Sequence, residues 1–383
     1  MTLPPCSSEP LAGAGRASQV AVLPARYQHV EPLVPPDLAP LPVGPDAVVI
    51  AAGPRWGLCF GDALTLVDAT GTLTLRAQGV ASAALHDGDG VRLGNRLRAH
   101  PRDEPEILRP LGAFGLHAEQ RLGALEDDLW ICAVQLSTWQ RGLTTAVVVR
   151  PNRSRSDDEQ APRWSFERRG RASVARSGRR ILMAGDDGHA FVLADPSDPR
   201  SRTPQIIASL ELPHTPYAAA ALGDGFVLCS AIDRVVPSGA AVQGRLAGLG
   251  ARAFEATWHT EVRALDADGG LRWCVVVELA VLQPPVSCGV DRVALLGQGI
   301  VCVEGGRVRW QRAPTQQAYG TAFADGTLAL GLGPHLGLVD ADGAMLQRFD
   351  LPESVVTPPA IGPDGAMCLA TASRTWIVPV SHA

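Results

Sequence analysis

The residues of this chain that could do chemistry are few in kind and scattered in position. Histidines stand at 29, 86, 100, 117, 189, 214, 259, 335 and 382, with no spacing that would gather imidazoles around one metal ion. No H-E-x-x-H, G-x-S-x-G, G-x-G-x-x-G or phosphate-loop pattern occurs. All 34 basic residues are arginine. The absence of lysine excludes a lysine-bearing phosphate loop, a Schiff-base enzyme and a kinase-type lysine. Asp266-Ala267-Asp268-Gly269, Asp340-Ala341-Asp342-Gly343 and His86-Asp87-Gly88-Asp89-Gly90 space their carboxylates in a way that suggests calcium. A calcium loop needs several more oxygen ligands and a distal acid, and hairpin turns already account for these residues. The expectation is therefore no catalytic residue, no metal and no cofactor.

The eight cysteines (6, 59, 132, 229, 274, 288, 302 and 368) include no C-x-x-C and no vicinal pair. Most lie in apolar runs such as Ile131-Cys132-Ala133 and Val301-Cys302-Val303, where cysteine behaves as a small hydrophobe. Eight reduced core thiols in a cytoplasmic protein are expected. Leu3-Pro4-Pro5-Cys6 resembles a lipoprotein cleavage box, but no hydrophobic segment precedes it. No signal peptide and no run of 18 apolar residues is present, so no membrane insertion is expected.

Net charge is −5, too mild for a dedicated nucleic-acid binder. The charge is uneven. Residues 150–180 hold ten arginines against four acids, a local net of +6. That field could hold an acidic partner or nucleic acid. No aromatic platform interleaves it, which favours a solvated Arg-rich loop near 151–163 flanked by outward-facing strand residues.

The elements that must position all of this come from repeats. A short apolar run, an Asp-Gly-like turn and a second apolar run recur around residues 46, 89, 127, 177, 224, 291, 325 and 364. A second turn alternates with the first, best seen in Ala264-Leu265-Asp266-Ala267-Asp268-Gly269-Gly270-Leu271-Arg272-Trp273. Each unit of about 45 residues then holds four short strands, A to D, and four-stranded units at that period stack as propeller blades. Glycine and proline, 40 and 31 residues, supply the turns.

The reading is an all-β, eight-bladed β-propeller of four-stranded antiparallel blades, with seven blades as the alternative. Residues 1–17 form a tail and 18–383 a single domain. The domain carries an insertion near 232–260. The last unit lacks a D strand, and Ser18-Gln19-Val20-Ala21-Val22-Leu23 is a spare strand before the first unit. That N-terminal strand is expected to complete the final blade and close the ring.

The stretch Ala264 to Trp273 resembles the tryptophan-docking repeat of quinoprotein-like (PQQ-like) propellers, and Thr357 to Gly365 is similar to that family's approach to strand A. The resemblance is clearest over 260–383. It implies that D-strand tryptophans pack between blades, here Trp273, Trp310 and Trp164, with Leu75 and Gln347 at equivalent places. The family's dehydrogenases typically carry a vicinal cysteine pair that this chain lacks, and its barrel-assembly lipoprotein branch needs a lipobox. What remains is the non-enzymatic, WD40-like use of a propeller as a scaffold. Some bacteria pair such propellers with a MoxR-type AAA+ ATPase and a von Willebrand A protein, so those are the expected partner classes. The alternative is a propeller hydrolase, lyase or quinoprotein-like enzyme with its site at the central channel mouth.

Three loops read as B–C connections carry tryptophan: Gly53-Pro54-Arg55-Trp56-Gly57, Ser137 to Gly142 with Trp139 and Arg141, and the insertion ending Thr257-Trp258-His259-Thr260. All B–C loops leave a propeller on one face. Trp56, Arg55, Trp139, Arg141, Trp258 and His259 are thus the candidate protein-binding residues, because Trp and Arg are enriched in interface hot spots. The competing reading is that each Trp folds back as a plug on its own blade.

Overall fold

A computed structural model describes the strands within 48–151 by their backbone. It describes side chains at 144–149, 163–232 and 259–380, apart from short gaps at 171, 199, 298, 313–316, 357, 362–364, 370, 372–375 and 379. The strands form antiparallel sheets in which sequence neighbours pair. The first sheet is β1 (Val48–Ala52), β2 (Arg55–Phe60), β3 (Ala63–Asp68) and β4 (Leu73–Ala77). The second is β5 (Ala83–Leu85), β6 (Val91–Leu93) and β7 (Arg96–Arg98). The third is β8 (Gly115–Glu126), β9 (Leu129–Thr138), β10 (Gly142–Pro151) and β11 (Trp164–Arg169). The fourth is β12 (Ala172–Ser177), β13 (Arg180–Gly185), β14 (His189–Ala194) and β15 (Gln205–Glu211).

The fifth sheet is β16 (Pro216–Leu222), β17 (Gly225–Ile232), β18 (His259–Leu265) and β19 (Leu271–Val277). The sixth is β20 (Val286–Ser287), β21 (Arg292–Leu296), β22 (Ile300–Glu304) and β23 (Arg307–Arg312). The seventh is β24 (Ala318–Ala322), β25 (Leu328–Leu332), β26 (His335–Val339) and β27 (Met345–Asp350). The eighth is β28 (Ala360–Ile361), β29 (Met367–Ala370) and β30 (Thr375–Val378).

The core is divided. Each apolar cluster joins two consecutive sheets, because strand residues alternate between faces. In β17, Val227 and Cys229 face the sixth sheet and meet Val293, Leu295 and Val303. Phe226 and Leu228 point the other way and meet Leu182, Val192 and Leu210 of the fourth sheet. Second and third strands are buried on both faces, so they read as continuous apolar runs such as Arg180-Ile181-Leu182-Met183-Ala184-Gly185. Fourth strands face solvent, and β23 accordingly reads Arg307-Val308-Arg309-Trp310-Gln311-Arg312.

The first strands touch one another in order: β1 with β5, β5 with β8, β8 with β12, then β12 with β16, β16 with β20 and β20 with β24. The seventh and eighth sheets share one apolar cluster, and β1 meets β28 and β29. The chain of contacts thus returns to its start.

The tight turns obey the local chemistry. Gly305-Gly306 joins β22 to β23 with both φ positive, at 55° and 77°, as a two-residue hairpin matched to strand twist requires. Asp266 Oδ1 accepts the amides of Asp268 at 2.9 Å and Gly270 at 2.7 Å. Asp340 Oδ1 does the same for Asp342 and Ala344. Both acids are therefore turn residues. Among the described residues no cluster of three or more metal-capable side chains exists.

The tryptophans reach across sheets. Trp164 Nε1 donates to Asp195 Oδ1 at 2.7 Å, Trp273 Nε1 to Asp291 Oδ1 at 2.7 Å, and Trp310 Nε1 to the Ala341 carbonyl at 3.0 Å, each in the following sheet. The Trp310 ring lies under Gly343, where an added Cβ would meet ring atoms at 2.9–3.2 Å. Ala208 takes the corresponding place beneath Gly269.

Two expectations are corrected. The turn at residue 46 precedes β1, so the first unit is read out of phase and its A–B turn is Gly53-Pro54. Cys229, Cys288, Cys302 and Cys368 are free and buried, and burial pushes the Cys229 and Cys368 thiols up, which makes them inert. Cys274 is disulfide-bonded, so the chain does not hold eight free thiols. Residues 1–47, including 18–24, lie outside the described residues.

Candidate functional site

The end of the sheets at which second strands lead to third strands, and fourth strands to the next first strand, collects the candidate residues. In the fifth sheet, β17 ends at Ile232 and β18 begins at His259, so 233–258 is the connection between them. Trp258 lies in that connection, outside the described residues. His259 is its half-buried exit, cross-strand from Ile232. Trp139 and Arg141 lie in the connection from β9 to β10, also outside the described residues.

Arg55 and Trp56 go elsewhere. They open β2, with Arg55 opposite Ala52 and Trp56 opposite Ala51, at the β1–β2 turn. The β2–β3 connection is Gly61-Asp62. The two residues therefore sit at the end of their sheet opposite the second-to-third-strand connections. The phase error displaced them.

Around His259 the described surface has its own chemistry. The Tyr217 hydroxyl donates to Thr260 Oγ1 at 2.8 Å, and Thr260 donates onward to the Leu279 carbonyl at 2.6 Å. Burial, then the neighbouring Cys229, push the Tyr217 phenol up to about 12, so it stays a donor at neutral pH. The Tyr217 ring is 39% exposed, and Leu282, on the connection to the sixth sheet, is 51% exposed. A polar-tipped aromatic and a bare leucine thus lie at the end of the sheets where second strands lead to third strands.

Beneath them lies a feature that sequence reasoning missed. Glu261 and Arg263 are both 1% exposed, and Arg263 Nε donates to Glu261 Oε1 at 2.6 Å. Arg263 Nη1 and Nη2 have no partner among the described residues. His214 Nε2 stands 4.0 Å from Glu261 Oε2. In sequence the alternation Thr260-Glu261-Val262-Arg263-Ala264 looks like a strand with one wet face. Packing against the fourth sheet buries that face.

A buried pair is costly to halve and cheap to replace as a unit. Glu261→Ala is expected to cost about 3–5 kcal/mol. The double substitution Glu261→Leu with Arg263→Met should return most of it. Urea midpoints of the wild type, the single and the double variant test this. A double variant as unstable as the single one would contradict it.

Three arginines of the Arg-rich stretch form ion pairs within the fold. Arg168 pairs with Asp187 and lies 4.6 Å over the Phe191 ring. Arg179 pairs with Asp195 at 3.2 Å, and Arg180 reaches Asp268 of the next sheet at 3.1 Å.

No family model matches the chain, and no curated protein matches it in sequence. Solved structures do match in fold. The chain is similar to BamB from Moraxella catarrhalis, with 12% identity, a TM-score of 0.56 and coverage of 92% of this chain and 99% of that one. It is also similar to the dihydro-heme d1 dehydrogenase NirN in complex with DHE, with 13% identity, a TM-score of 0.52 and coverage of 83% of this chain and 66% of that one. The chain has the β-propeller fold that these structures share.

Proposed function

We propose that the protein is a non-enzymatic, eight-bladed propeller scaffold, its working face the end that carries Trp139, Arg141, Trp258 and His259. The observation that carries this reading is the exposure of Tyr217 and Leu282 at the end of the sheets from which the long 233–258 insertion leaves. The propeller fold tolerates such an insertion but does not require it. Apolar and aromatic residues around it suit a protein partner.

The ring reading rests on the sequential contacts of the first strands and on β1 meeting β28 and β29. The eighth sheet has three strands among those described, and the spare strand at 18–23 is proposed as its fourth. Small residues such as Ala218, Ala219, Ala220 and Ala221 occupy the first strand of sheet five. They offer little convergent chemistry, which supports a scaffold over an enzyme at the channel mouth. A MoxR-type AAA+ ATPase and a von Willebrand A protein remain the proposed partner classes. No helix among the described residues is long and apolar enough to cross a membrane. A cytoplasmic location is proposed with this reading.

The test is to make Trp139→Ala and Trp258→Ala and to measure melting temperature and partner affinity together. Unchanged melting with binding weakened by about 2 kcal/mol or more supports the face. Lowered melting with intact binding makes both residues local plugs.

A further inference from the structure

The guanidinium of Arg263 is spent on one side only. Its Nε donates to Glu261 Oε1 at 2.6 Å, and both side chains are 1% exposed. Nη1 and Nη2, which carry all but one of the guanidinium's N–H groups, are buried and have no partner among the described residues. A buried charged donor left unmet is costly, so this fork calls for an acceptor.

The strand pattern fixes where the fork lies. On β18, Val262 and Ala264 pack toward the sixth sheet and Leu265 toward the fourth. Arg263 is cross-strand from Leu228, which also packs toward the fourth sheet. Glu261 and Arg263 therefore enter the layer between the fourth and fifth sheets. That layer is apolar, with Leu182, Val192, Leu210 and Phe226 beside the small Ala184, Ala190 and Ala219. Among the described residues Glu261 is the one buried carboxylate, and its Oε1 already takes the Nε proton. The side chain nearest its Oε2 by a printed ion pair is His214, at 4.0 Å and 33% exposed. Arg263 is always charged, and a protonated His214 adds a second positive charge against one carboxylate.

We infer that the layer between the fourth and fifth sheets binds one small monovalent anion, a halide, held by Arg263 Nη1 and Nη2. A halide accepts several N–H groups at once and is small enough for a layer between packed sheets. Multiply charged oxyanions lose far more hydration on entering such a layer. The ion completes the buried Glu261–Arg263 pair and stabilises the junction of the two sheets. The inference is independent of the proposed binding face, which the partner-capture variants test separately.

The probes are chloride in solution and bromide in crystals. Replacing sodium gluconate by sodium chloride at constant ionic strength should raise the melting temperature of the wild type by roughly 2 °C, along a saturating single-site curve. The double variant Glu261→Leu/Arg263→Met lacks the fork and keeps the layer apolar, and it should show no such saturating rise. Crystals grown with sodium bromide should give an anomalous peak in contact with Arg263 Nη1 and Nη2. An equal chloride response in both proteins would overturn the assignment. So would a water or a protein acceptor at the fork in place of bromide, a result that holds even if the double variant fails to fold.

Discussion

Trp310→Ala lowers stability by about 3–5 kcal/mol, read as a fall in the urea midpoint, although the residue lies on the edge strand of its sheet. The ring of Trp310 is buried at 7% exposure, in the cluster that joins the sixth and seventh sheets. Its Nε1 donates to Ala341 across that junction. Alanine leaves both a cavity and an unmet carbonyl. The partner position responds in kind. Gly343 has φ of +81° and faces ring atoms at 2.9–3.2 Å, so Gly343→Ala carries backbone strain and a clash. In a Trp310→Ala background the clash disappears and only the strain remains. The two substitutions should therefore cost less together than their separate costs summed. Strict additivity would show that the turn and the ring are not packed as a unit.

Deleting residues 1–25 should be as damaging. The eighth sheet ends at β30, where Trp376, Ile377 and Val378 are nearly fully buried. If the strand at 18–23 supplies the fourth position, its removal bares an apolar edge, which invites aggregation. The expected protein is insoluble or melts far below the wild type. Equal melting of truncated and intact protein would remove the N-terminal strand from the ring.

The sequence carried the fold well because propeller turns are chemically explicit. Six of the eight first-turn positions fall between first and second strands and a seventh, Ser177, ends its first strand, and Asp266 and Asp340 cap the turns expected of them. Trp273 was legible because Asp268-Gly269-Gly270-Leu271-Arg272-Trp273 links turn and ring in one stretch. The first unit failed on phase. Val43-Gly44-Pro45-Asp46-Ala47 imitates Ile361-Gly362-Pro363-Asp364-Gly365 of the last unit, but turn chemistry alone does not say which pair of strands it joins. That one slip carried Arg55 and Trp56 to the wrong end. The Glu261–Arg263 pair was illegible because the neighbouring sheet creates its burial. Cys274 sits in the apolar run Trp273-Cys274-Val275, where a packed thiol and a bonded one look alike.

The central claim, a scaffold working through one face, is tested most directly by capture from the native host. Wild-type protein and the Trp139→Ala/Trp258→Ala double variant would be compared at matched melting temperature, with mass spectrometry of what each retains. The account predicts a partner in near-stoichiometric amount on the wild type that the double variant loses. The same partner retained equally by both proteins would contradict it.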